Sequence, residues 1–285
     1  MVSERQEIQK NIEKAIRNVG VEEGDILLVH SDITPVIKLA DLKRWEKESK
    51  SLDQNFAKFL ISKSSELLKQ SFLNVLGPKG TLIVPTFNYD FCKGKPYCHK
   101  TSESQVGLFS NYILFDKSST RSFHPIMPFA AIGVAIEEIF SNLSKSAVGK
   151  GSVFHKLHQV NAKILCFNVN FRQCTFLHYI EQSRNSEYRY LKHFRGLVRR
   201  EEEEYEDSFD FYVRRYLVEE VDLELNRLEG DLLSARKMNK VILAGKYPLL
   251  CTQAVDFYDT AVEKLNVDPY YLLSGSPEGK YVLHD

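Results

Sequence analysis

Apolar positions in the opening stretch "MVSERQEIQKNIEKAIRNVG" recur at helical spacing, with Ile8, Ile12, Ala15, Ile16 and Val19 on one face and Gly20 as the stop signal. After the turn "VEEGD", the run "ILLVHSD" reads as a buried strand that delivers His30, Ser31 and Asp32 at its carboxyl end. Ligand contacts in α/β sheets commonly sit at such strand ends. Helical periodicity returns at Phe56, Phe59, Leu60, Leu67, Leu68, Phe72 and Leu76; "GPKG" then punctuates, and "TLIVPTF" reads as a second buried strand. The alternation continues through "VGLFSNYILF" (helix), "PFAAIGV" (strand), "AIEEIFSNL" (helix), "SVFHKLHQV" (helix) and "AKILCFNV" (strand). That rhythm predicts an α/β fold.

The pattern changes between Tyr188 and Arg215, where "YRYLKHFRGLVRREEEEYEDSFDFYVRR" is aromatic and charged. Two strands joined through its acidic run predict a hairpin, over about 188–215, appended to the main sheet. Beyond it "NKVILAG" reads as a final strand and "QAVDFYDTAVEKL" as a final amphipathic helix. With no repeat and no low-complexity linker, residues 1–285 are expected to form one domain, interrupted by a charged insertion at about 38–51 that holds the single tryptophan, Trp45.

Composition narrows the function classes. Lysine plus arginine equal aspartate plus glutamate at 38 each, so no global field draws the chain to nucleic acid or anionic lipid. A small-molecule partner is expected instead. The N-terminus lacks a continuous apolar core of the signal-peptide kind, and no later run approaches the roughly 18 apolar residues of a membrane helix. Five cysteines (Cys92, Cys98, Cys166, Cys174, Cys251) form no framework pattern, which suits reduced thiols and a cytoplasmic location.

The segment "QCTFLHYIEQ" concentrates candidate chemistry. On a helix, His178 and Glu181 project from one face, so the carboxylate can orient the imidazole, with Thr175 as N-cap over the first free amides. The same spacing also describes an ordinary surface ion pair, so it does not settle the matter alone. Cys174 is a rival nucleophile, although nothing in the sequence marks it as thiolate-prone. Cys92, Cys98 and His99 make a poor zinc motif, because the cysteine gap is too long and no second ligand pair follows. Arg121, Ser122 and His124 gather before Pro125 in extended backbone, and Ser152 caps a helix after a glycine-rich turn that could seat a phosphate or carbonyl oxygen.

Taken in order, "VGVEEGDILLVHSDI", "GPKGTLIVPTFNYDF", "RSFHPIMPFAAIG", "GKGSVFHKL", "TFLHYIEQ" and "VDFYDTAVEKL" resemble the aminoglycoside 3-N-acetyltransferase (antibiotic N-acetyltransferase) family, which is distinct from the GNAT acetyltransferases. The resemblance implies a three-layer α/β/α fold with a central mixed sheet, acetyl-CoA as donor, direct acetyl transfer to a sugar amine, and no metal. It places Thr175, His178 and Glu181 on the catalytic segment, with His178 as general base and Glu181 holding its tautomer. On the donor side it places His30, Ser31, Asp32, Thr86, Arg121, Ser122, His124 and Ser152. Tyr89, Asp90 and Glu202 are the expected acceptor contacts.

The chain also departs from the family pattern: Asp32 replaces a second serine, Met127 and Pro128 stand where a histidine and a serine are usual, and "GSVF" replaces G-S-P. Arg195, Arg199 and Arg200 face Glu201 to Glu204 across the expected hairpin, an arrangement that suits a phosphate-bearing acceptor more than a polycation. The expected reaction is therefore N-acetylation of a nucleotide-linked amino sugar for surface-glycan biosynthesis, with aminoglycoside acetylation as the first alternative and a non-catalytic sugar-binding member as the second. A homo-oligomer is compatible with the sequence.

Overall fold

Helix α1 (Glu4–Asn18) buries Ile12, Ala15 and Ile16, and Val19 just past its end is buried with them. It ends in a Schellman motif, where Gly20, at φ +100°, lets the Gly20 amide donate to the Arg17 carbonyl and the Val21 amide to the Ile16 carbonyl. Strand β1 (Ile26–Ser31) follows, then a short helix α2 at 34–40 and the long helix α3 (Gln54–Leu76). The computed structural model describes residues 4–40, 54–217, 221–277 and 281–282, so most of the expected 38–51 insertion, including Trp45, lies outside the described residues.

Strands β2 (Thr81–Pro85), β3 (Tyr97–Cys98), β4 (Thr120–Arg121), β5 (Phe129–Gly133) and β6 (Lys163–Phe167) alternate with helices α4 (Leu108–Leu114), α5 (Ile136–Phe140) and α6 (Val153–Gln159). Helix α7 (Leu177–Ser183) precedes the long hairpin strands β7 (Arg189–Arg200) and β8 (Glu203–Arg214) and the short β9 (Tyr216–Leu217). The chain then forms α8 (Asn226–Ser234), β10 (Met238–Leu243), β11 (Tyr247–Gln253), α9 (Ala254–Val267) and β12 (Tyr281–Val282).

The central sheet has seven strands in the order β10-β11-β6-β1-β2-β5-β4. Its middle trio β6, β1 and β2 is parallel, and the flanking pairings are antiparallel, so the sheet is mixed. Alternation along the strands divides the core into two layers. Leu27, Val29, Leu82, Val84, Leu165 and Phe167 pack with α1, α3 and α4, whereas Leu28, Ile83, Ile164 and Cys166 pack with residues of α6, α7, α8 and α9. Helices thus cover both faces, as the apolar pattern predicts.

Two expectations are corrected here. The hairpin is not appended to the main sheet: β7 pairs in parallel with β3 and antiparallel with β8, forming a separate three-stranded sheet. "NKVILAG" is also not the final strand, because β11 follows it, turns back antiparallel, and inserts between β10 and β6. Among the described residues, no helix is long and apolar enough to cross a membrane.

Candidate active site

The parallel trio runs in one direction, so the segments leaving the carboxyl ends of β1, β2 and β6 meet at one edge of the sheet. Residues after β6 form a tight turn (Phe171–Gln173) capped by the Asn170 side chain, which accepts from the Arg172 amide, and lead into α7. Here the chain brings Thr175 against β1: its amide donates to His30 Nε2 at 3.3 Å, and its hydroxyl lies 3.5 Å from the same nitrogen. Thr175 is therefore not the N-cap. Phe176 occupies that position with helical dihedrals, and the Thr175 side chain turns toward His30.

In the first turn of α7, His178 Nδ1 lies 2.8 Å from Glu181 Oε2. The imidazole is 19% exposed, and the carboxylate is fully buried. A buried carboxylate needs a cation, and the hairpin supplies it. Arg189 Nε sits 2.7 Å from the same Oε2, with its side chain only 5% exposed, while its Nη1 donates to the Tyr212 carbonyl. The Nε contact is too bent to be a hydrogen bond, so Arg189 acts on Glu181 mainly as a charge. Burial by itself would raise the Glu181 carboxyl, but Arg189 and His178 outweigh it and hold it down to about 2. Burial and the Arg189 charge push His178 below the usual imidazole value, against the opposing pull of Glu181. An imidazole lowered in this way is neutral at pH 7. With Nδ1 hydrogen-bonded to a carboxylate, it carries its proton there and leaves Nε2 as a free base.

The other expected site residues divide into two groups. His30, 5% exposed, stands beside Thr175 and accepts its amide proton. Ser31 is half-buried at the end of the same strand, and the Thr86 hydroxyl, just past β2, is buried without a partner. Of these three only Ser31 shows surface at the strand ends; His30 and Thr86 lie buried behind it. Asp32 does not: its Oδ1 accepts from the Thr34 amide and hydroxyl at the start of α2, and its Oδ2 accepts from Asn168.

The 121–124 segment turns inward. Arg121 donates twice through Nη1 to the carbonyls of His99 and Ser102 and lies 5.2 Å over the Tyr97 ring, while its Nε and Nη2 are buried without a hydrogen-bond partner. Ser122 Oγ accepts from the Phe129 amide, and His124 Nδ1 accepts from the amides of Ile126 and Met127. These side chains satisfy the backbone of the turn into β5, which is why they are buried. Ser152 does cap α6, but its oxygen is occupied by the His155 amide at 3.3 Å.

On the expected acceptor side, Tyr89 stacks on Phe211 of the hairpin. Asp90 is bound by Lys95 at 3.2 Å, with Lys93 at 4.0 Å. Glu202 is 96% exposed at the hairpin tip, 3.7 Å from Lys100, and separated from Arg189 by a 12-residue strand, about 40 Å of chain. It lies too far out to line a site at His178. Arg195 and Arg199 pair across the hairpin with Glu206 and Glu204, and Arg200 lies 4.5 Å over the Phe123 ring. The arginines that suggested a phosphate are already engaged. Among the described residues, no group of three or more His, Cys, Asp or Glu is placed to hold a metal ion.

Sequence reasoning missed Arg189 and Tyr188. Tyr188 is fully buried, its hydroxyl has no hydrogen-bond partner, and burial together with the nearby Glu181 charge pushes it up. The signal was present in "EYRYL", an arginine following an aromatic residue at the start of a strand, but it reads as ordinary strand composition until the turn at 184–188 folds it back on α7.

Comparison with known proteins bears on the fold and the family. The fold matches aminoglycoside acetyltransferase AAC(3)-Xa with a TM-score of 0.73 at 16% identity, covering 93% of this chain and 93% of that one. AAC-IIIb, in a binary complex with CoASH, matches with a TM-score of 0.72 at 14% identity over 94% and 98%. The YokD protein from Bacillus subtilis matches with a TM-score of 0.67 at 15% identity over 90% and 98%. At such identities these likenesses establish the fold. No curated protein sequence matches the chain. The aminoglycoside 3-N-acetyltransferase family profile, however, matches residues 60–266, most of the sequence and all of the His178 segment, so the chain belongs to that family and is an N-acetyltransferase.

Proposed function

We propose that the chain transfers the acetyl group of acetyl-CoA to a primary amine of an aminoglycoside-type amino sugar, with His178 as general base. The observation that carries this reading is the partly exposed imidazole backed by a wholly buried, ionised carboxylate at 2.8 Å. The donor supplies an activated acyl carbonyl and a thiol leaving group. Ser31, half-exposed at the end of β1, is placed to meet it, whereas Ser122 and His124 are buried and spent on backbone amides. As the amine nitrogen bonds to the carbonyl carbon and the C–S bond breaks, His178 Nε2 takes the amine proton and returns it to the departing sulfur. Glu181 stabilises the imidazolium in between.

This replaces the nucleotide-sugar expectation. That expectation rested on Arg195, Arg199 and Arg200, which are engaged by hairpin carboxylates and by Phe123, and the family and fold matches are to aminoglycoside acetyltransferases. A thiol-release assay with acetyl-CoA, run on aminoglycosides beside nucleotide-linked amino sugars with mass identification of products, tests it. Turnover of aminoglycosides is expected, with His178→Ala lowering kcat by about 10²- to 10⁴-fold. Turnover confined to nucleotide sugars would overturn the acceptor assignment, and a fully active His178→Ala protein would overturn the mechanism.

A further inference from the structure

Glu181 holds only half of its interactions within its own helix. Its Oε2 is shared by His178 of α7 and Arg189 of β7, while Oε1 has no hydrogen-bond partner. The carboxylate is fully buried and Arg189 nearly so, so removing the guanidinium leaves a charge with no solvent to replace it. Arg189 is itself anchored by its bond to the Tyr212 carbonyl on β8. Through Arg189 the hairpin, an element outside the main sheet, touches the carboxylate that orients the base.

We infer that Arg189 is a positioning residue: by its charge at Glu181 Oε2 it shares the ionised carboxylate with His178 and so keeps the imidazole neutral, with the proton on Nδ1 and a free Nε2. The inference rests on the reading of His178 as the base. The groups facing the pair are Glu181 on α7, His30 on β1, Arg189 on β7, Tyr188 just before it and Tyr212 on β8. Of the cationic groups among these, only Arg189 touches Oε2 from outside the helix. Two effects of its loss have the same sign. Without the cation, His178 loses a neighbour that disfavours its protonation, and Glu181 is left to favour the imidazolium alone. Both raise the His178 midpoint.

The test reads His178 directly by NMR titration of ring-labelled histidine in the full-length chain, assigned by its absence in His178→Ala. This readout needs no substrate, so it stands even if the acceptor assignment fails. Arg189→Met is expected to move the midpoint up by about one pH unit, and Arg189→Lys, which restores a charge, to recover most of that shift. In turnover, Arg189→Met should lose more kcat at pH 6.5 than at pH 8.5, with little change in KM. The Glu181→Gln/Arg189→Met double variant should be no slower than Glu181→Gln alone, because Arg189 acts through Glu181. An unmoved His178 midpoint in Arg189→Lys and Arg189→Met, or a loss equal at all pH values and additive with Glu181→Gln, would reduce Arg189 to a structural strut and overturn the inference. Should Arg189→Met not fold, Arg189→Gln carries the same expectations.

Discussion

Cys174 presents the sharpest competition at the residue scale. Burial opposes its ionisation, yet Cys166 and His30 favour the thiolate, and the balance lowers the thiol below its ordinary value. A lowered thiol beside an imidazole is the usual equipment of an acyl-enzyme mechanism. Access decides against it. Cys174 is 1% exposed within the apolar layer that also holds Phe171, Phe176 and Leu177, while His178 shows part of its ring to solvent. A nucleophile that the thioester cannot reach does not accept an acyl group. Cys174→Ala is therefore expected to retain most turnover and to cost about 1 kcal/mol of stability, and acetyl-CoA alone is expected to add no acetyl mass to the intact protein. An acetyl adduct lost in the Cys174 variant would install the two-step mechanism instead.

The hairpin is the element on which the site depends and which the sequence described least well. Gly196, in the middle of β7, passes so close to Phe91 that a Cβ there would stand 2.9 Å from the ring edge. Phe91 is itself buried and packs edge-on against Phe209 of β8. Gly196→Ala must displace that ring and is expected to destabilise the fold by about 1–3 kcal/mol, read as a lower denaturation midpoint; a midpoint equal to wild type would mean that Phe91 yields freely. The two hairpin strands were legible from their composition, and the central strands from their apolar runs, because periodicity records which face is buried. What the hairpin packs on was not legible. Its pairing with the two-residue β3 leaves no pattern in so short a strand, and Arg189 meets Glu181 only after the chain reverses at 184–188. The strand β11 was missed because Pro248 interrupts its start, and α8 because Gly230 sits inside it. His178 and Glu181 were legible together since helical spacing alone brings them to one face. The inward turn of the 121–124 segment was not legible, because polar residues at a strand edge serve the backbone as readily as they serve ligands: Ser122 and His124 accept from amides, and Arg121 donates to the His99 and Ser102 carbonyls.

His124 joins three parts of the whole molecule. Its Nδ1 accepts from the turn before β5, its Nε2 faces the Lys145 carbonyl at 3.3 Å, and its ring packs 5.2 Å from Phe209 of the hairpin. Burial lowers it to about 4, and burial with Arg121 and Arg200 lowers His99 to about 4 as well. In the unfolded chain both return to about 6.5, so between pH 6.5 and 4 the unfolded state binds more protons than the folded one. Stability is therefore present above pH 6.5 and declines as the pH falls toward 4, before Glu181 and Asp116, each held down to about 2, add their own loss as pH falls below about 4.5. Each histidine contributes at most one proton, or about 1.4 kcal/mol per pH unit, to the slope. The two can be separated. Asn at position 124 offers an oxygen where Nδ1 accepts but has no proton to gain, so His124→Asn should flatten the decline by about one proton's worth and leave the His99 share. Denaturant unfolding of both proteins at several pH values between 4 and 7 measures this, and equal slopes would show that His124 does not carry the acid sensitivity of the fold.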